Sequence, residues 1–531
     1  MQNHPIVRLA IPFILGMSGT HFLCRYGALD AEGLVLPLGL LAAVVAVLQC
    51  ILYFGPSHNA SRPSAFGGAV AAFFCLLGAL LMANRYAEAE RQRVPEGRAW
   101  CCVVDKMPQR KARSWAVQAR EEGGAQVLLY LQPSGDGVEK AFREGDTLVV
   151  LPKFLRLSSP FRKEARNEDE AGREYLDWLY YSGVSATAYV PVENVLRVGR
   201  AAEPGVAAWL SDMRRRVSQR YAEGGIDGEG GAIVEAMTTG NRSALTPAQR
   251  EAFSRSGASP MIALSGFHLG VIVGLLHVFF LNGFLPLRWR RALNVVTVCV
   301  VWAYVALAGA PVSLVRAAVM FSFMSLAMLL GRRGRMLNAC ALSAFILLLV
   351  NPFALLDVGF QLSYIAVTAI FVFVPLFDGQ PDVPRWRRTW LFHGLLVGAV
   401  ATLASLPLAT YYFGRVPFYG IFVNLLMSVM AFAMLYVAAL WWMFCWWDEA
   451  RRVLGEVLCD IGDRMNGLSQ WVAGLPRASL DYRPTLLETF LLSAVSFSLM
   501  AFVRWRHLRL LQLCLLAAIL FCLALICIWG G

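Results

Sequence analysis

Polar and ionisable side chains interrupt four long apolar runs in the second half of the chain. A charged group at the centre of a bilayer costs at least a few kcal/mol, so it must face a partner or water. Serine, histidine, arginine and amide side chains supply the donors and the positive charge that a hydrated passage needs. The residues that the sequence predicts for such a passage are Ser265, His268, Arg316, Asp357, Gln361 and Asn424.

Glycines and prolines beside these polar groups indicate where helices break or approach one another closely. Both residue types are tolerated in membrane helices when neighbouring helices or water satisfy the freed backbone groups. Glycine also lets two helix backbones come into contact. We expect these roles for Gly266, Pro311, Gly359 and Pro407.

For each of these polar groups, a purely structural role is the alternative to lining a passage. His268 can bond to a neighbouring helix, and Gln361 and Asn424 can hold helices together. Arg316 stands about four residues inside its apolar run, so its long side chain can also reach the membrane interface. Ser265 and His268 leave open an intramembrane hydrolase with a nucleophile and a base, although i,i+3 side chains are adjacent on any helix.

The composition assigns the chain to the membrane-protein class. Of its 531 residues, 57% are hydrophobic and 16% are charged, and the mean hydropathy is +0.53. Soluble proteins have about a quarter of their residues charged. Since one membrane helix needs about 20 apolar residues, the apolar runs predict a polytopic α-helical membrane protein with about eleven spans.

The net charge of +12 does not by itself indicate a nucleic-acid-binding protein. Much of the excess lies in four arginine clusters, each beside an apolar run, which is the pattern of cytoplasmic loops. This charge therefore predicts an orientation, with the N-terminus inside the cell and three helices leading outward. The clusters are Arg288, Arg290 and Arg291; Arg332, Arg333 and Arg335; Arg385, Arg387 and Arg388; and Arg504, Arg506 and Arg509.

A less apolar segment, residues 85–205, separates two membrane blocks. Its short β-type runs, at 100–104, 115–119, 125–131 and 147–151, end at glycine, proline or charge and predict an extracytoplasmic OB-like β-barrel domain. One cation-rich stretch with an indole ring is a candidate contact for DNA, and an exposed hairpin with charged tips is the alternative. This stretch contains Lys106, Arg110, Lys111, Arg113 and Trp115.

The order of the apolar runs divides the remaining chain. Alternate crossings place the first three arginine clusters in the cytoplasm and leave the fourth outside. The run 418–447 is longer than one span of about 20 residues. A broken or re-entrant helix within it would put the fourth cluster in the cytoplasm as well. Such a break predicts a cavity near Asn424, because non-helical backbone at membrane depth must face protein or water. The predicted segments are 1–84 (membrane helices), 85–205 (OB-like domain), 206–257 (amphipathic connector), 258–447 (channel domain), 448–484 (extracytoplasmic amphipathic segment) and 485–531 (membrane helices).

Several strings resemble the competence domain of the ComEC family of bacterial DNA-internalisation channels. The strings SGFHLG (265–270) and GFQLSY (359–364) are together quite specific. The three helices and OB-like domain that precede them are similar to that family's layout. The resemblance implies inward passage of one DNA strand across the inner membrane. Further matching strings, in family order, are TGNRS (239–243), VRA (315–317), GR (331–332), NP (351–352), LP (406–407) and NLL (424–426).

The sequence also departs from that family. Residues 257–261 lack the histidine that members usually carry before the SG-x-H string, and the chain has no HxHxDH motif for a nuclease metal. It has no GxxxxGK(S/T) loop for ATP, and its twelve scattered cysteines indicate neither a disulfide framework nor a metal site. We therefore expect a channel without enzymatic activity, metal or cofactor.

The resemblance also implies partners. These are single-stranded DNA, the lipid bilayer, a DNA receptor protein, a cytoplasmic helicase-like motor and a nuclease on another polypeptide. Three other functions stay open: a secondary transporter or channel for a small solute with a polar site at mid-membrane, the intramembrane hydrolase, and an envelope-assembly protein without transport. The OB-like domain and the family strings favour DNA.

Overall fold

The computed structural model folds as two compact units. The first is Met1–Asp212 with Ala341–Asp357, and the second is Met213–Cys340 with Val358–Gly531. The structure describes residues 5–25, 31–54, 62–91, 99–105, 109–110, 114–132, 145–151, 154–157, 170–191, 194–200, 206–279, 286–329, 336–374 and 390–529.

Three apolar helices begin the first unit, and glycines let two of them touch. A β-carbon at Gly16 would lie 2.7 Å from the carbonyl carbon of Cys75, and one at Gly78 would lie 3.0 Å from that of Phe13. Larger side chains would push the two helices apart, so glycine sets their approach. The helices are α1 (Pro5–Arg25), α2 (Ala31–Phe54) and α3 (Arg62–Arg91).

An eight-stranded sheet follows α3 in the chain. Its strands are β1 (Trp100–Val104), β2 (Gln109–Arg110), β3 (Trp115–Glu121), β4 (Gln126–Gln132), β5 (Asp146–Val150), β6 (Phe154–Leu157), β7 (Val184–Pro191) and β8 (Val195–Arg200). Their order is β6-β7-β4-β3-β1-β5-β8, with β2 beside β3. The β4–β7 pair is parallel and the other pairs are antiparallel. The assignment to the OB type stays a prediction.

The interior of the sheet is apolar because alternate residues of each strand point inward. Its buried side chains include Trp100, Val117, Leu129 and Leu148, all at 0% exposure. Cys102 shares this interior, where burial raises the pKa of its thiol to about 12. The described cysteines are free thiols.

One helix, α4 (Glu170–Tyr181), packs on the outer face of the sheet. Leu176 and Leu179 of α4 contact Val184 of β7 in a small apolar cluster. Asp177 of the same helix forms an ion pair with Arg25, 2.6 Å long, at the end of α1. Burial raises the pKa of Asp177, and the Arg25 charge opposes that rise. The ion pair ties α4 to the first membrane helix.

The described residues after β8 are helical apart from connecting turns and one short two-stranded sheet. Val423, Met434 and Trp441 are buried in an apolar core of this part. The elements are α5 (Val206–Glu223), α6 (Gly228–Thr239), α7 (Pro247–Arg255), α8 (Gly266–Phe279), α9 (Leu287–Leu307), α10 (Val312–Leu329), α11 (Met336–Val350), a 3₁₀ helix (Pro352–Leu356), α12 (Val358–Phe373), α13 (Trp390–Phe413), β9 (Arg415–Pro417), α14 (Gly420–Met443), α15 (Asp448–Ala473), β10 (Ser479–Asp481), α16 (Leu486–Trp505) and α17 (Leu508–Trp529).

Many of these helices suit a lipid environment. Within the described ranges, six are long and apolar enough to cross a membrane: Pro5–Arg25, Ala31–Gln49, Ala65–Arg91, Leu396–Phe413, Phe422–Met443 and Leu486–Trp505. Shorter apolar helices are Gly266–His277, Arg291–Leu307, Val312–Ala327, Met336–Val350, Val358–Phe373 and Leu508–Phe521. The chain is an α-helical membrane protein with a β-sheet domain, and the count of about eleven spans stays a prediction.

The helix break predicted within 418–447 is absent. The 24 residues of α14 form one uninterrupted helix, which at 1.5 Å per residue is about 36 Å long. α15 returns antiparallel beside it: the Trp441 indole donates to the Arg451 carbonyl at one end, and the Phe418 N–H donates to the Ala478 carbonyl at the other. The prediction is wrong because α15 is amphipathic and polar on one face, so no apolar run marks the returning helix.

Candidate functional site

His268 lies in the first turn of α8 with 0% of its surface exposed. The backbone N–H and the hydroxyl of Ser265 both lie 3.2 Å from its Nδ1 atom. A ring nitrogen that accepts a backbone N–H carries no proton, so the proton of the neutral ring is on Nε2. Nε2 makes no hydrogen bond within the described part of the chain. His268 therefore presents a buried N–H donor that these residues leave without an acceptor.

Arg316 lies on α10, the helix that packs against the start of α8. Only 3% of its surface is exposed. A β-carbon at Gly266 would lie 3.3 Å from Cβ of the neighbouring Ala317, and the Ser313 hydroxyl donates to the Leu264 carbonyl at 2.6 Å. The absence of a side chain at Gly266 lets the two helices approach one another at this point.

Pro311 lies in a short loop between α9 and α10 rather than within a helix. The two residues before it, Gly309 and Ala310, have φ angles of 81° and 50°. Such angles suit glycine and are uncommon for other residues. The chain therefore reverses tightly at this point, and α10 begins directly after the proline.

Gln361 connects two helices. Its Oε1 atom accepts a hydrogen bond, 3.1 Å long, from the Tyr412 hydroxyl, which joins α12 to α13. This contact supports the structural alternative for Gln361. Gly359 lies in the first turn of α12, and Asp357 is an exposed residue directly before that helix.

Asn424 and Pro407 both lie inside continuous helices. α13 runs through Pro407 without ending, and α14 runs through Asn424. The Thr410 hydroxyl donates to the Leu406 carbonyl at 2.8 Å beside the proline. Oδ1 of Asn424 is enclosed and makes no hydrogen bond to the described residues. Asn424 thus stays a candidate through this buried acceptor, although no helix break creates a cavity there.

The sequence did not predict a polar cluster that joins α6, α7 and α15. The Asn466 amide donates to Glu229 Oε2 at 2.6 Å, and the Gln249 amide donates to the Glu229 carbonyl at 3.1 Å. The hydroxyls of Ser256 and Ser469 lie 3.1 Å apart. The helical period of these segments indicates a buried face, but it does not indicate which helix covers that face.

The cation-rich stretch of the sheet domain is described only in part. Lys106, Lys111 and Arg113 lie outside the described residues, and Arg110 is described only by its backbone in β2. Trp115 belongs to the sheet interior, with 7% of its surface exposed. The alternation of β3 turns this ring inward, so including Trp115 in a surface contact was wrong. The arginine clusters at 332–335 and 385–388 also lie outside the described residues.

The described polar groups of α8 and α10 suit an anionic ligand. His268 supplies an N–H donor and Arg316 a permanent positive charge. Over the described ranges, no three His, Cys, Asp or Glu side chains are grouped to hold a metal ion. Phosphate oxygens are acceptors that match guanidinium and imidazole donors.

Comparison with known proteins identifies the family. The family model described as "Competence protein" matches residues 237–508, half of the chain. The chain belongs to the competence protein family. This finding confirms the resemblance seen in the sequence, and the competence protein region includes α8, α10, α12, α13 and α14.

Two curated competence proteins match parts of the chain. ComE operon protein 3 of Bacillus subtilis is 30% identical over 196 residues, which cover 37% of this chain and 24% of that protein. Competence protein ComA of Neisseria gonorrhoeae is 28% identical over 257 residues, covering 46% of this chain and 35% of that protein. The matched parts thus span about a quarter and a third of these relatives. No solved structure matches the chain.

Proposed function

We propose that this protein forms the passage through which one DNA strand enters the cytoplasm during natural transformation. A strand carries a negative charge on each phosphate and cannot enter hydrocarbon. It needs a hydrated path with donors and positive charge through about 30 Å. Membership of the competence protein family supports a role in DNA uptake, and a channel rather than an enzyme agrees with that family.

The observation that carries the proposal is the pair of buried polar side chains on α8 and α10. His268 and Arg316 are 0% and 3% exposed, on two helices that pack closely at Gly266. Such groups are stable at membrane depth only beside polar partners or water. In the proposed passage both contact phosphate oxygens, with Ser265 and Asn424 along the same path, while Gln361 holds α12 to α13.

In the proposed arrangement the protein lies in the inner membrane, with its N-terminus in the cytoplasm and the sheet domain outside the cell membrane. α14 then crosses inward and α15, about 39 Å long at 1.5 Å per residue, crosses outward beside it. This extra crossing puts the cluster around Arg504 in the cytoplasm, as the positive-inside rule requires. The exposed charged residues of α15, such as Glu456 and Arg464, face water in this arrangement.

We also propose that the sheet domain is OB-like and receives the strand before it enters the membrane. The antiparallel β1–β3–β4 meander and the mixed order of the sheet support a small Greek-key barrel. The energy for inward movement comes from a partner, a cytoplasmic helicase-like motor. A DNA receptor outside and a separate nuclease complete the proposed set of partners.

Uptake of labelled DNA in a strain that lacks this gene tests the proposal. We expect labelled DNA to stay outside the cytoplasmic membrane in the deletion strain, and the cloned gene to restore entry. A small labelled solute that enters equally in both strains serves as the control for general permeability. Normal transformation of the deletion strain, with no related gene present, would show that the proposal is wrong.

A further inference from the structure

The loop between α6 and α7 presents one guanidinium group, that of Arg242. The other polar side chains of this loop fix its shape. Oδ1 of Asn241 accepts hydrogen bonds from the N–H and the hydroxyl of Ser243, at 3.1 and 2.7 Å, and the Asn241 amide donates to Glu235 of α6 at 2.8 Å. Thr246 caps the first turn of α7. The side chain of Arg242 makes no hydrogen bond within the described part of the chain.

Arg250 of α7 holds the loop from the other side. Its Nη2 atom donates to the Arg242 carbonyl at 2.5 Å, while its buried Nε atom makes no hydrogen bond to the residues described. Over the described ranges, neither guanidinium forms an ion pair with a carboxylate. Desolvation by the surrounding protein lowers the pKa of Arg242, and the nearby charge of Arg250 lowers it further. An anion bound here would relieve the repulsion between the two cations.

The loop packs on the segment that leads into α8. Gly240 has a φ of 80°, and a β-carbon on it would lie 2.7 Å from Cδ1 of Leu264 and 3.6 Å from the Ala308 carbonyl oxygen. Arg242 interacts electrostatically with the ring of His268, and it is exposed where that histidine is buried. The loop therefore places an exposed cation beside the buried histidine of the proposed passage.

A further cation reaches the same place from α5. A β-carbon at Gly309 would overlap the guanidinium of Arg214, so this glycine leaves the space that the arginine occupies. The φ of 81° at Gly309 also suits glycine. Arg214 thus lies against the turn into α10, the helix that carries Arg316. We call Arg214, Arg242 and Arg250 the outer arginines.

The three carboxylates of α6 and α7 have other partners. Glu235 accepts the Asn241 amide, as described above. Glu229 accepts the amide of Asn466 at 2.6 Å, and Glu251 forms an ion pair, 3.0 Å long, with Arg415. The acidic side chains of these two helices therefore do not neutralise the outer arginines.

The proposed orientation puts the outer arginines at the extracytoplasmic end of the passage. α9 begins at the arginine cluster 288–291, which the positive-inside rule assigns to the cytoplasm, so its other end and the turn at Gly309 lie outside. The same rule explains arginines in cytoplasmic loops and gives no reason for a group of them on the outer side. A negatively charged ligand does give a reason.

We propose that Arg242, flanked by Arg250 and Arg214, binds a phosphate of the DNA strand at the outer entrance of the passage. From there the strand reaches His268 and Arg316. A guanidinium group binds two phosphate oxygens through parallel N–H donors. Phosphate contacts of this kind read no base, so the entrance accepts any sequence. This inference rests on the proposed function and names the residues that begin it.

Strand binding by the full chain in phosphatidylcholine nanodiscs tests the inference, with a fluorescent oligothymidylate of about 16 nucleotides. Arg242→Gln should raise the Kd about five- to thirtyfold. Each phosphate contact to a single strand adds about 0.7 to the slope of log Kd against log salt concentration, so this variant should lower the slope by about 0.7. Arg242→Lys keeps the charge and should keep the slope, although it loses the paired donors.

The matched control is Arg255→Gln. It removes the same charge from an exposed position in the last turn of α7 and should leave the Kd and the slope unchanged. A wild-type Kd and slope in Arg242→Gln, an equal loss in Arg255→Gln, or no binding by the wild type overturns the inference. A higher Kd with an unchanged slope and a lower unfolding temperature assigns Arg242 to the structure of the loop, which also overturns it.

Lipid headgroups carry the same phosphodiester chemistry, and nanodiscs that contain phosphatidylglycerol distinguish this source. If Arg242 binds a headgroup, the anionic lipid should raise the unfolding temperature of the wild type more than that of Arg242→Gln. The two proteins should then bind the oligonucleotide equally in phosphatidylcholine. That result would assign the outer arginines to lipid and overturn the inference.

DNA uptake separates this inference from the proposed function. If the deletion strain loses uptake and the Arg242→Gln gene restores it fully, Arg242 is not the entrance and the proposed function stands. If Arg242→Gln loses binding as expected but the deletion strain transforms normally, the phosphate contact stands and the proposed function fails.

Discussion

Gly462 of α15 lies directly against the backbone of Gly230 in α6. A β-carbon at Gly462 would lie 2.8 Å from the Gly230 Cα atom, closer than real side chains pack. Asn466, one turn further along α15, donates to Glu229 in the same contact. A backbone-to-backbone approach with a polar bond beside it joins the amphipathic helix to the connector.

The glycine contact predicts opposite effects for two substitutions in α15. Gly462→Ala should lower the free energy of unfolding by about 1–3 kcal/mol, because the methyl group overpacks the contact with α6. Gly467→Ala has open space around its β-carbon and should raise it by about 0.5–1 kcal/mol, through helix propensity alone. Thermal unfolding in detergent measures both. Equal effects of the two substitutions would contradict the close approach of α15 and α6.

The tautomer of His268 predicts which substitutes keep DNA uptake. Glutamine can place its amide N–H near the Nε2 position, whereas asparagine reaches only the Nδ1 position. His268→Gln should therefore keep most uptake, and His268→Asn should lower it about three- to tenfold, as expected for one lost hydrogen bond. Uptake of labelled DNA, normalised to the amount of protein in the membrane, measures the difference.

Removal of the Ser265 hydroxyl tests whether the protein acts as a passage or as an intramembrane hydrolase. In Ser265→Ala the backbone N–H still bonds to Nδ1 of His268, so the ring keeps its tautomer. We expect this variant to keep most of the wild-type DNA uptake, because His268 still presents its Nε2–H. A loss as severe as that of a Ser265→Ala, His268→Ala double variant would indicate that the hydroxyl acts as a nucleophile.

The buried charge of Arg316 predicts a loss of uptake without a loss of insertion. Arg316→Ala removes a charged donor that the proposed passage directs at phosphate, worth about 1.5–3 kcal/mol, and should lower uptake about ten- to a hundredfold. Arg316→Lys keeps the charge and should retain more. Immunoblots of washed membranes control for insertion. Unchanged uptake in Arg316→Ala would indicate that this side chain reaches the membrane interface instead of lining a passage.

The antiparallel pair of α14 and α15 predicts on which side of the membrane three positions lie. A cysteine replacing Leu480, beside β9, should react with a membrane-impermeant maleimide in intact spheroplasts. A cysteine replacing Glu449, at the start of α15, should react only after permeabilisation, as should one replacing Arg506. The wild type supplies the background from native thiols. Labelling of position 449 in intact spheroplasts would contradict the crossing by α14.

Local patterns in the sequence determined the protein class and much of the element order. The apolar runs predicted a membrane protein, because hydropathy along about 20 residues is a property of the chain itself. The short β-type runs at 100–104, 115–119, 125–131 and 147–151 match β1, β3, β4 and β5 within two residues, because alternation along a strand is equally local. The strings around His268 and Gln361 identified the family.

Only the tertiary structure decided which groups meet. Gln361 bonds to Tyr412, Trp115 turns inward, and α15 returns beside α14. The rings of Tyr130 and Tyr189 stack across a parallel strand pair. Contacts of this kind depend on strand register and helix packing between segments far apart in the chain, and no local period of the sequence encodes either.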